Sequence, residues 1–147
     1  MASLLNAIIV EGGTTALSRE VTGDDLVEWM ASDPERSAWH VAVDGLEDVV
    51  GFQWVEPKQK LPPVACDIAT FVRIGQTGLG IGSALFSATQ KAAKALGFVW
   101  INATIRADNE GGLIYYQSRG FRDWKVDANV ALGAGGAVDR ISKRFDL

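Results

Sequence analysis

Hydrophobic and polar residues alternate along the chain with two different periods, which predicts strands and helices in mixed order. Runs typical of strands occupy Trp39–Val43, Val49–Val55 and Ala65–Val72. An apolar stripe at spacings of four and three predicts the clearest helix. Its members are Ile81, Leu85, Ala88, Ala92 and Leu96. The pattern therefore predicts a mixed α/β fold rather than a strict alternation of parallel strands and helices.

Turn and capping signals predict the remaining elements. Helices are expected to begin at Thr22–Asp25 and at Asp108–Asn109, with Gly120 ending the second of them. Further strands are expected at Ile8–Val10, Phe98–Ile101, Phe121–Val126 and Val138–Phe145. The last two are separated by the glycine-rich segment 133–136, which is expected to be a flexible connection.

Length and composition restrict the classes of protein to consider. The chain has 147 residues, of which 48% are hydrophobic and 22% are charged, so we expect a single globular domain over residues 1–147. No apolar run approaches the roughly 18 residues of a membrane span, which argues against a membrane protein. One Cys and one His offer neither a zinc cluster nor a disulfide framework, so the sequence predicts a protein of the reducing cytoplasm without a metal.

The net charge of −4 is distributed unevenly. Residues 1–67 contain 12 acids and 4 bases, whereas residues 68–107 contain no Asp or Glu and 4 bases. An acid-free segment within an acidic protein favours a small anionic ligand and not duplex nucleic acid, which needs a broad basic face. The acidic first half in turn predicts that any second ligand of this protein is neutral or cationic rather than polyanionic.

The acid-free segment contains a glycine-rich turn, Gly75–Ser83, between a predicted strand and a predicted helix. Such a turn directs several backbone N–H groups at one point, and the helix N-terminus adds partial positive charge, so the arrangement suits a pyrophosphate. Neither the dinucleotide fingerprint nor the P-loop fits, because Ser83 replaces the third glycine of the first and Ile81 the lysine of the second. An enzyme that binds a nucleotide phosphate at this turn stays an alternative.

Two motifs resemble those of the GCN5-related N-acetyltransferase (GNAT) superfamily. Its acetyl-CoA signature is Gln/Arg-x-x-Gly-x-Gly/Ala, whose glycines match Gly80 and Gly82 and whose first position falls on Thr77. The second signature, an Asn followed by a Tyr and then Gly-Phe, matches Asn109, Tyr116 and 120–121. The resemblance extends from about residue 65 to residue 124 and is strongest to small bacterial acetyltransferases.

The resemblance implies a GNAT-like fold: a largely antiparallel central sheet with helices on both faces, splayed where acetyl-CoA enters. It implies acetyl-CoA as the co-substrate and direct acetyl transfer to a small primary amine. The residues that it places at the cofactor are Val72, Thr77, Gly78, Gly80, Ile81, Gly82, Ser83 and Asn109. It also implies that a homodimer is common among relatives.

Transfer of an acetyl group from a thioester to an amine requires a base and an acid. Tyr116 is the expected acid, because the family's catalytic Tyr falls on this position, and its neighbour Tyr115 is expected to pack. Asp67 is the expected base, with Glu56 as the alternative. A cofactor pressed against Gly111 and Gly112 would explain two adjacent glycines at the start of a helix.

The acceptor pocket has no motif. Trp29 and Trp54 are candidates for its walls, since large aromatic side chains often line such pockets. A different class of function also stays open at this point, namely a regulatory module that keeps the acetyl-CoA site but binds a partner protein instead of acetylating.

Overall fold

A computed structural model describes residues 1–133 and 135–147. The helices are α1 (Ala2–Glu11), α2 (Gly23–Ala31), α3 (Ile81–Ala95) and α4 (Glu110–Arg119). The strands are β1 (Ala38–Val43), β2 (Val49–Glu56), β3 (Ala65–Val72), β4 (Trp100–Arg106), β5 (Arg122–Ala131) and β6 (Ala137–Asp146). Within these residues, none of the helices is long and apolar enough to cross a membrane.

The described strands form one six-stranded sheet in the order β1-β2-β3-β4-β6-β5. All neighbours are antiparallel except β3 and β4, which run parallel. The parallel pair is held together over three residue pairs, ending at Asp67 opposite Asn102. Beyond that point the two strands separate, so the sheet is splayed in its middle. The largely antiparallel sheet expected from the sequence is confirmed.

Helices cover both faces of the sheet, and each face has its own apolar core. On one face, α3 and α4 pack over a cluster that includes Val55, Phe86 and Ile101. On the other face, α1 and α2 pack over Phe52 and Trp54. Alternation along a strand produces this division, because consecutive side chains of β2 point to opposite faces.

The expected first strand at Ile8–Val10 is wrong, since these residues end helix α1. A short apolar run does not distinguish a buried strand from a helix. The structure buries Leu4, Leu5 and Ile8, which share one side of a helix, whereas Val10 is 76% exposed. The spacing of the buried positions, rather than the run itself, carried the helical signal.

The other helix boundaries agree with the sequence signals. Thr22 caps α2: its hydroxyl accepts a hydrogen bond from the backbone of Asp25, whose carboxylate in turn accepts one from the Thr22 backbone. Asn109 and Gly120 bound α4 as expected. In α3 the buried side turns slightly from the predicted stripe and consists of Leu85, Phe86, Thr89 and Ala93.

Strand β4 begins later and ends later than the apolar run Phe98–Ile101 predicted. Phe98 lies in the core before the strand, and the strand continues to Arg106 with polar residues alternating with apolar ones. The apolar side chains therefore face the core, and the polar side chains face an open cleft. Strands β5 and β6 are also longer than predicted, and Ala134 of the expected flexible connection lies outside the described residues.

Candidate functional site

An open cleft of about 1740 Å³ extends from the point where β3 and β4 separate. One side, which we call the glycine wall, consists of the turn Gly75–Ser83, and Tyr115 and Tyr116 of α4 border the cleft next to it. The other side, which we call the polar wall, lies on β3, β4, β6 and β5. It consists of Asp67, Asn102, Thr104, Arg106, Trp124, Arg140 and Ser142.

The glycine turn exposes backbone donors toward the cleft. Gly78 and Gly80 have φ angles of 85° and 83°, in the left-handed region that favours glycine. Gly80 is the N-cap of α3 and supplies no side-chain cap, so the first N–H groups of the helix have no intrahelical partner. Together with the helix dipole, these groups fit a pyrophosphate. Thr77, which stands in the Gln/Arg position of the signature, is exposed at the edge of the same cleft.

Gly82 is glycine because Tyr115 lies against it. A Cβ atom at Gly82 would stand 2.6 Å from Cε1 of Tyr115, and the Tyr115 hydroxyl donates a hydrogen bond of 2.7 Å to the Gly82 carbonyl. Tyr115 therefore packs, as expected from the sequence, and it ties α4 to the start of α3. The hydroxyl of Ser83 accepts a hydrogen bond from Arg119, a second tie between these helices.

The side chain of Ile81 points away from the cleft. Its Cγ2 atom lies 2.9 Å from the position that a Cβ atom of Gly51 on β2 would occupy. Among the expected cofactor residues, Ile81 can thus contribute through its backbone. Val72 ends β3 and pairs with Gly51 on one side, while the opposite side of β3 has no strand partner after Asp67. This leaves a free strand edge that an extended ligand with amide groups can join.

Tyr116 is almost completely buried in the core between β3, α3 and α4, yet it also borders the cleft. Its hydroxyl lies 2.7 Å from Oγ1 of Thr70. Burial raises the pKa of the Tyr116 phenol above its ordinary value, so the hydroxyl keeps its proton at neutral pH. A protonated phenol fixed by a hydrogen bond is suited to act as a donor at the point where the strands diverge.

Asn109 has a structural role at the start of α4. Its Oδ1 accepts a hydrogen bond of 3.0 Å from the backbone of Gly112, and its Nδ2 donates one of 3.3 Å to the carbonyl of Thr14. A Cβ atom at Gly112 would stand 2.5 Å from Nδ2 of Asn109. Gly112 is therefore explained by the Asn109 cap and not by a cofactor, whereas Gly111 has open space and borders the cleft.

Asp67 stands at the vertex of the splay, and Glu56 lies opposite it on β2. Burial raises the pKa of the Asp67 carboxyl to about 6, while the hydrogen bond from Asn102 and the charge of Lys58 lower it. Both oxygens of Glu56 are already engaged, one by Trp54 at 3.0 Å and the other by Lys58 at 2.7 Å. Asp67 is thus the better candidate for a base, since it is mostly ionised at neutral pH and borders the cleft.

A hydrogen-bonded network around Asn102 was not found from the sequence. Nδ2 of Asn102 donates to Asp67 at 2.8 Å and to Thr104 at 3.0 Å, and its Oδ1 accepts from Trp124 at 2.8 Å. Because the indole N–H can only donate, it orients the Asn102 amide so that the N–H groups face Asp67. Partners on three strands form this network, and the polar residues that alternate along β4 were its only sequence signal.

The sequence matches the family model described as acetyltransferase (GNAT) family over residues 9–121. This match covers most of the chain, including the glycine turn, Asp67 and Tyr116. The chain belongs to the GNAT family. As a member, it is an N-acetyltransferase that uses acetyl-CoA, which disfavours the alternative of an enzyme that binds a nucleotide phosphate.

Relatives in this family span most of the chain. YwnH of Bacillus subtilis (strain 168), provisionally named a phosphinothricin acetyltransferase, is 25% identical over 149 residues, covering 100% of this chain and 87% of its own. The mycothiol acetyltransferase of Paenarthrobacter aurescens (strain TC1) is 33% identical over 101 residues, which are 65% of this chain and 30% of that protein.

A solved structure shares the fold of this GNAT enzyme. The GNAT superfamily phosphinothricin acetyltransferase from Sinorhizobium meliloti, in complex with acetyl-CoA, superposes with a TM-score of 0.87 at 17% identity. The alignment covers 99% of this chain and 80% of that one. The likeness confirms the GNAT-like architecture expected from the sequence.

Trp29 and Trp54, which were expected to line the acceptor pocket of this GNAT enzyme, lie elsewhere. Trp29 and Trp54 pack with other aromatic rings in the core under α1 and α2, with Trp54 stacked on Trp39 at 4.2 Å between centroids. Neither belongs to the lining of the cleft, whereas Trp124, 45% exposed, does. Of the 12 acids in residues 1–67, Glu11 and Asp67 line the cleft over the described residues, so the acidity of that segment is mostly distant from the site.

Proposed function

We propose that this GNAT enzyme transfers the acetyl group of acetyl-CoA directly to a small primary amine, without a covalent enzyme intermediate. The observation that carries the proposal is the position of Asp67 and Tyr116 at the divergence of β3 and β4, next to the glycine turn. A base, a hydroxyl donor and a phosphate-binding turn border the same cleft. These are the groups that the reaction requires.

The glycine turn holds the pyrophosphate of acetyl-CoA in this proposal. The backbone amides at the start of α3 and the left-handed Gly78 and Gly80 support the assignment. Thr77 and Ser83 are the polar side chains within hydrogen-bonding reach of such a ligand on this turn. The free edge of β3 near Val72 receives the amide groups of pantetheine, which directs the thioester toward Tyr116.

Asp67 accepts the proton of the attacking amine. An alkyl ammonium has a pKa near 10.4, so release of its proton at pH 7 costs roughly 4–5 kcal/mol. Asp67, whose pKa is raised to about 6, is ionised at neutral pH and still more basic than an ordinary carboxylate. The ammonium first loses one proton to solvent, since it has no lone pair with which to attack. As the neutral amine then forms its bond to the acetyl carbon, the nitrogen becomes acidic and Asp67 takes up its second proton.

Tyr116 donates its hydroxyl proton toward the sulfur that leaves. Its burial keeps the phenol protonated until negative charge develops nearby, and Thr70 fixes the direction of the hydroxyl. A regulatory module that binds acetyl-CoA without transfer is not favoured, since Asp67 and Tyr116 accompany the cofactor turn. We place this reaction in the reducing cytoplasm, consistent with one buried, unpaired cysteine, Cys66, in the described residues.

A thiol-release screen of the purified protein tests the function. Acetyl-CoA is supplied with amino acids, polyamines, aminoglycosides and peptide N-termini, and mass spectrometry identifies the acetylated product. We expect turnover with at least one small primary amine and none with the matched tertiary amine. Tight acetyl-CoA binding without release of CoA across the whole panel would instead support the regulatory module.

A further inference from the structure

The cleft of this acidic protein carries an excess of positive charge. Its charged lining residues are Glu11, Asp67 and Asp127 on the acidic side, and Lys58, Lys60, Arg106, Arg119, Lys125 and Arg140 on the basic side. Lys58, Arg106 and Lys125 form ion pairs with carboxylates, and Arg119 bonds to Ser83 at the glycine turn, whereas Arg140 lies on the polar wall without an ion pair among the described residues. An anionic group on the acceptor side would complement this excess.

Arg140 and Arg106 stand directly opposite each other in the antiparallel pairing of β6 with β4. The Cβ atoms of residues in this arrangement are about 4.5–5.5 Å apart, and like charges at such positions destabilise a sheet. Arg106 is compensated, since its guanidinium lies 2.8 Å from the carboxylate of Asp108 and also donates to the carbonyl of Thr15.

Arg140 has no comparable partner among the described residues. Its Nε is shielded from solvent and has no hydrogen-bond acceptor. Asp127 stands opposite Arg140 across β5, but its carboxylate forms an ion pair with Lys125 at 3.4 Å. A half-buried guanidinium beside a second arginine, without an ion-pair partner among the described residues, is a position where an anionic group of a ligand would be stabilised.

Arg140 and Asp67 belong to the same wall. Asp67 pairs with Asn102, and alternate residues of β4 place Asn102 and Arg106 on the same face. Arg106 follows Asn102 by four residues, about 13 Å along the strand at 3.3 Å per residue. Asp67 and Arg140 both line the cleft, so one bound molecule can lie along the wall between them.

We propose that the acceptor is an amino acid, whose amine lies at Asp67 and whose carboxylate is bound by Arg140. The inference rests on the proposed acetyl transfer and refines the expectation of a neutral or cationic acceptor, because an amino acid carries no net charge at neutral pH. Arg140 acts as a specificity-determining residue: its planar guanidinium donates two parallel hydrogen bonds to the carboxylate.

Matched pairs of acceptors test the inference on the wild-type enzyme. Each amino acid, including a series in which one to four carbons separate the amine from the carboxylate, is compared with the amine in which hydrogen replaces the carboxylate. We expect kcat/KM to be about 10- to 100-fold higher for the carboxylated member of the best pair, through a lower KM. Equal or higher kcat/KM for the amines without a carboxylate would overturn the proposal.

Arg140→Gln adds a second, independent comparison. The variant should remove most of the preference for the carboxylated acceptor, measured as the ratio of the two kcat/KM values within each matched pair. Arg122→Gln removes an exposed arginine of β5 outside the cleft and should keep the preference. A preference that survives Arg140→Gln would contradict the assignment of Arg140. Should Arg140→Gln fail to fold, Arg140→Lys, which keeps the charge but not the planar fork, is expected to lose part of the preference.

Binding measurements separate this inference from the proposed function. Thermal stabilisation of the wild type by the carboxylated ligand, absent in Arg140→Gln, would support the anion site even if no amine were acetylated. Acetylation of amines with no carboxylate preference would support the proposed function and overturn the anion site.

Discussion

The glycine wall and the polar wall border the same cleft but are built by different means. The glycine wall is local: residues 75–83 are continuous in sequence, and their backbone amides provide the binding groups. The polar wall is assembled from β3, β4, β6 and β5, whose side chains meet through strand register. A site that binds its ligand through backbone amides needs glycine at fixed positions, so it leaves a motif in the sequence. A site whose side chains are brought together by strand pairing needs no fixed spacing along the chain and leaves no such motif.

The two walls also differ in what a substitution should change. A change in the glycine wall should alter acetyl-CoA binding alone, and a change in the polar wall should alter the acceptor or the proton transfer. Tyr116 lies where the walls meet, so it should affect the chemical step and neither binding equilibrium.

The largest effect is expected for Tyr116→Phe, which removes the hydroxyl and keeps the ring in the core. A positioned acid is worth about 10²–10⁴-fold in rate, so the single-turnover rate should fall by that range while the affinity for acetyl-CoA is retained. Tyr115→Phe is the control, because that hydroxyl bonds to the Gly82 carbonyl and should have a smaller effect on the rate. A Tyr116→Phe rate within about threefold of the wild type would assign Tyr116 to the core alone.

Asp67→Asn should raise stability at the expense of activity. Burial raises the pKa of the folded carboxyl to about 6, above its ordinary value, so ionised Asp67 destabilises the folded state as pH rises through 6. The substitution removes this cost, and we expect up to about 3 kcal/mol of added stability at pH 8 and no gain at pH 3.5. Denaturant unfolding at both pH values measures it, with the exposed Asp24→Asn on α2 as the control.

A gain for Asp67→Asn that is equal at pH 8 and pH 3.5 would show that ionisation of Asp67 does not cost stability. The polar wall would then lack the buried charge on which its role as a base depends.

Gly80→Asp should act on the glycine wall alone. Position 80 has open space for a side chain, and its φ of 83° strains Asp and Asn alike, so both variants carry the same backbone cost. A negative charge at the start of α3 opposes a pyrophosphate. We expect acetyl-CoA to bind about tenfold more weakly or worse by calorimetry. Gly80→Asn has the same size and tolerates the left-handed backbone, so it isolates the charge. Equal affinities of the two variants for acetyl-CoA would show that the pyrophosphate does not bind at this turn.

Asn102→Ala should shift a pH profile rather than a binding constant. Its hydrogen bond lowers the pKa of Asp67, so its loss should move the acidic limb of kcat/KM upward by about one pH unit. Thr104→Val removes another partner of Asn102 but leaves the Asp67 contact, and it should shift the limb less. If the acidic limb of the kcat/KM profile does not shift in Asn102→Ala, then Asn102 does not influence the proton transfer.

The sequence predicted most of the sheet and the position of the glycine turn between β3 and α3, whereas binding of the cofactor at this turn stays a prediction. Gly80, Gly82, Asn109 and Tyr116 are recognisable because their spacing along one chain segment is fixed. The sequence did not predict that Ile8–Val10 belong to a helix, because a short apolar run does not distinguish a helix from a strand. It also did not predict the hydrogen bonds of Asn102. Trp124, Asn102 and Asp67 are far apart in sequence, and only the pairing of β3, β4, β6 and β5 brings such residues together.

The most direct test of the account joins the two walls in one ligand. A bisubstrate analogue links the sulfur of CoA, through the acetyl carbon, to the nitrogen of an amino acid that the enzyme accepts. We predict by calorimetry that it binds more tightly than acetyl-CoA, and that Gly80→Asp and Arg140→Gln each weaken it. An analogue that binds no more tightly than acetyl-CoA, or that Arg140→Gln leaves unaffected, would contradict the claim that both walls hold their substrates across the divergence of β3 and β4.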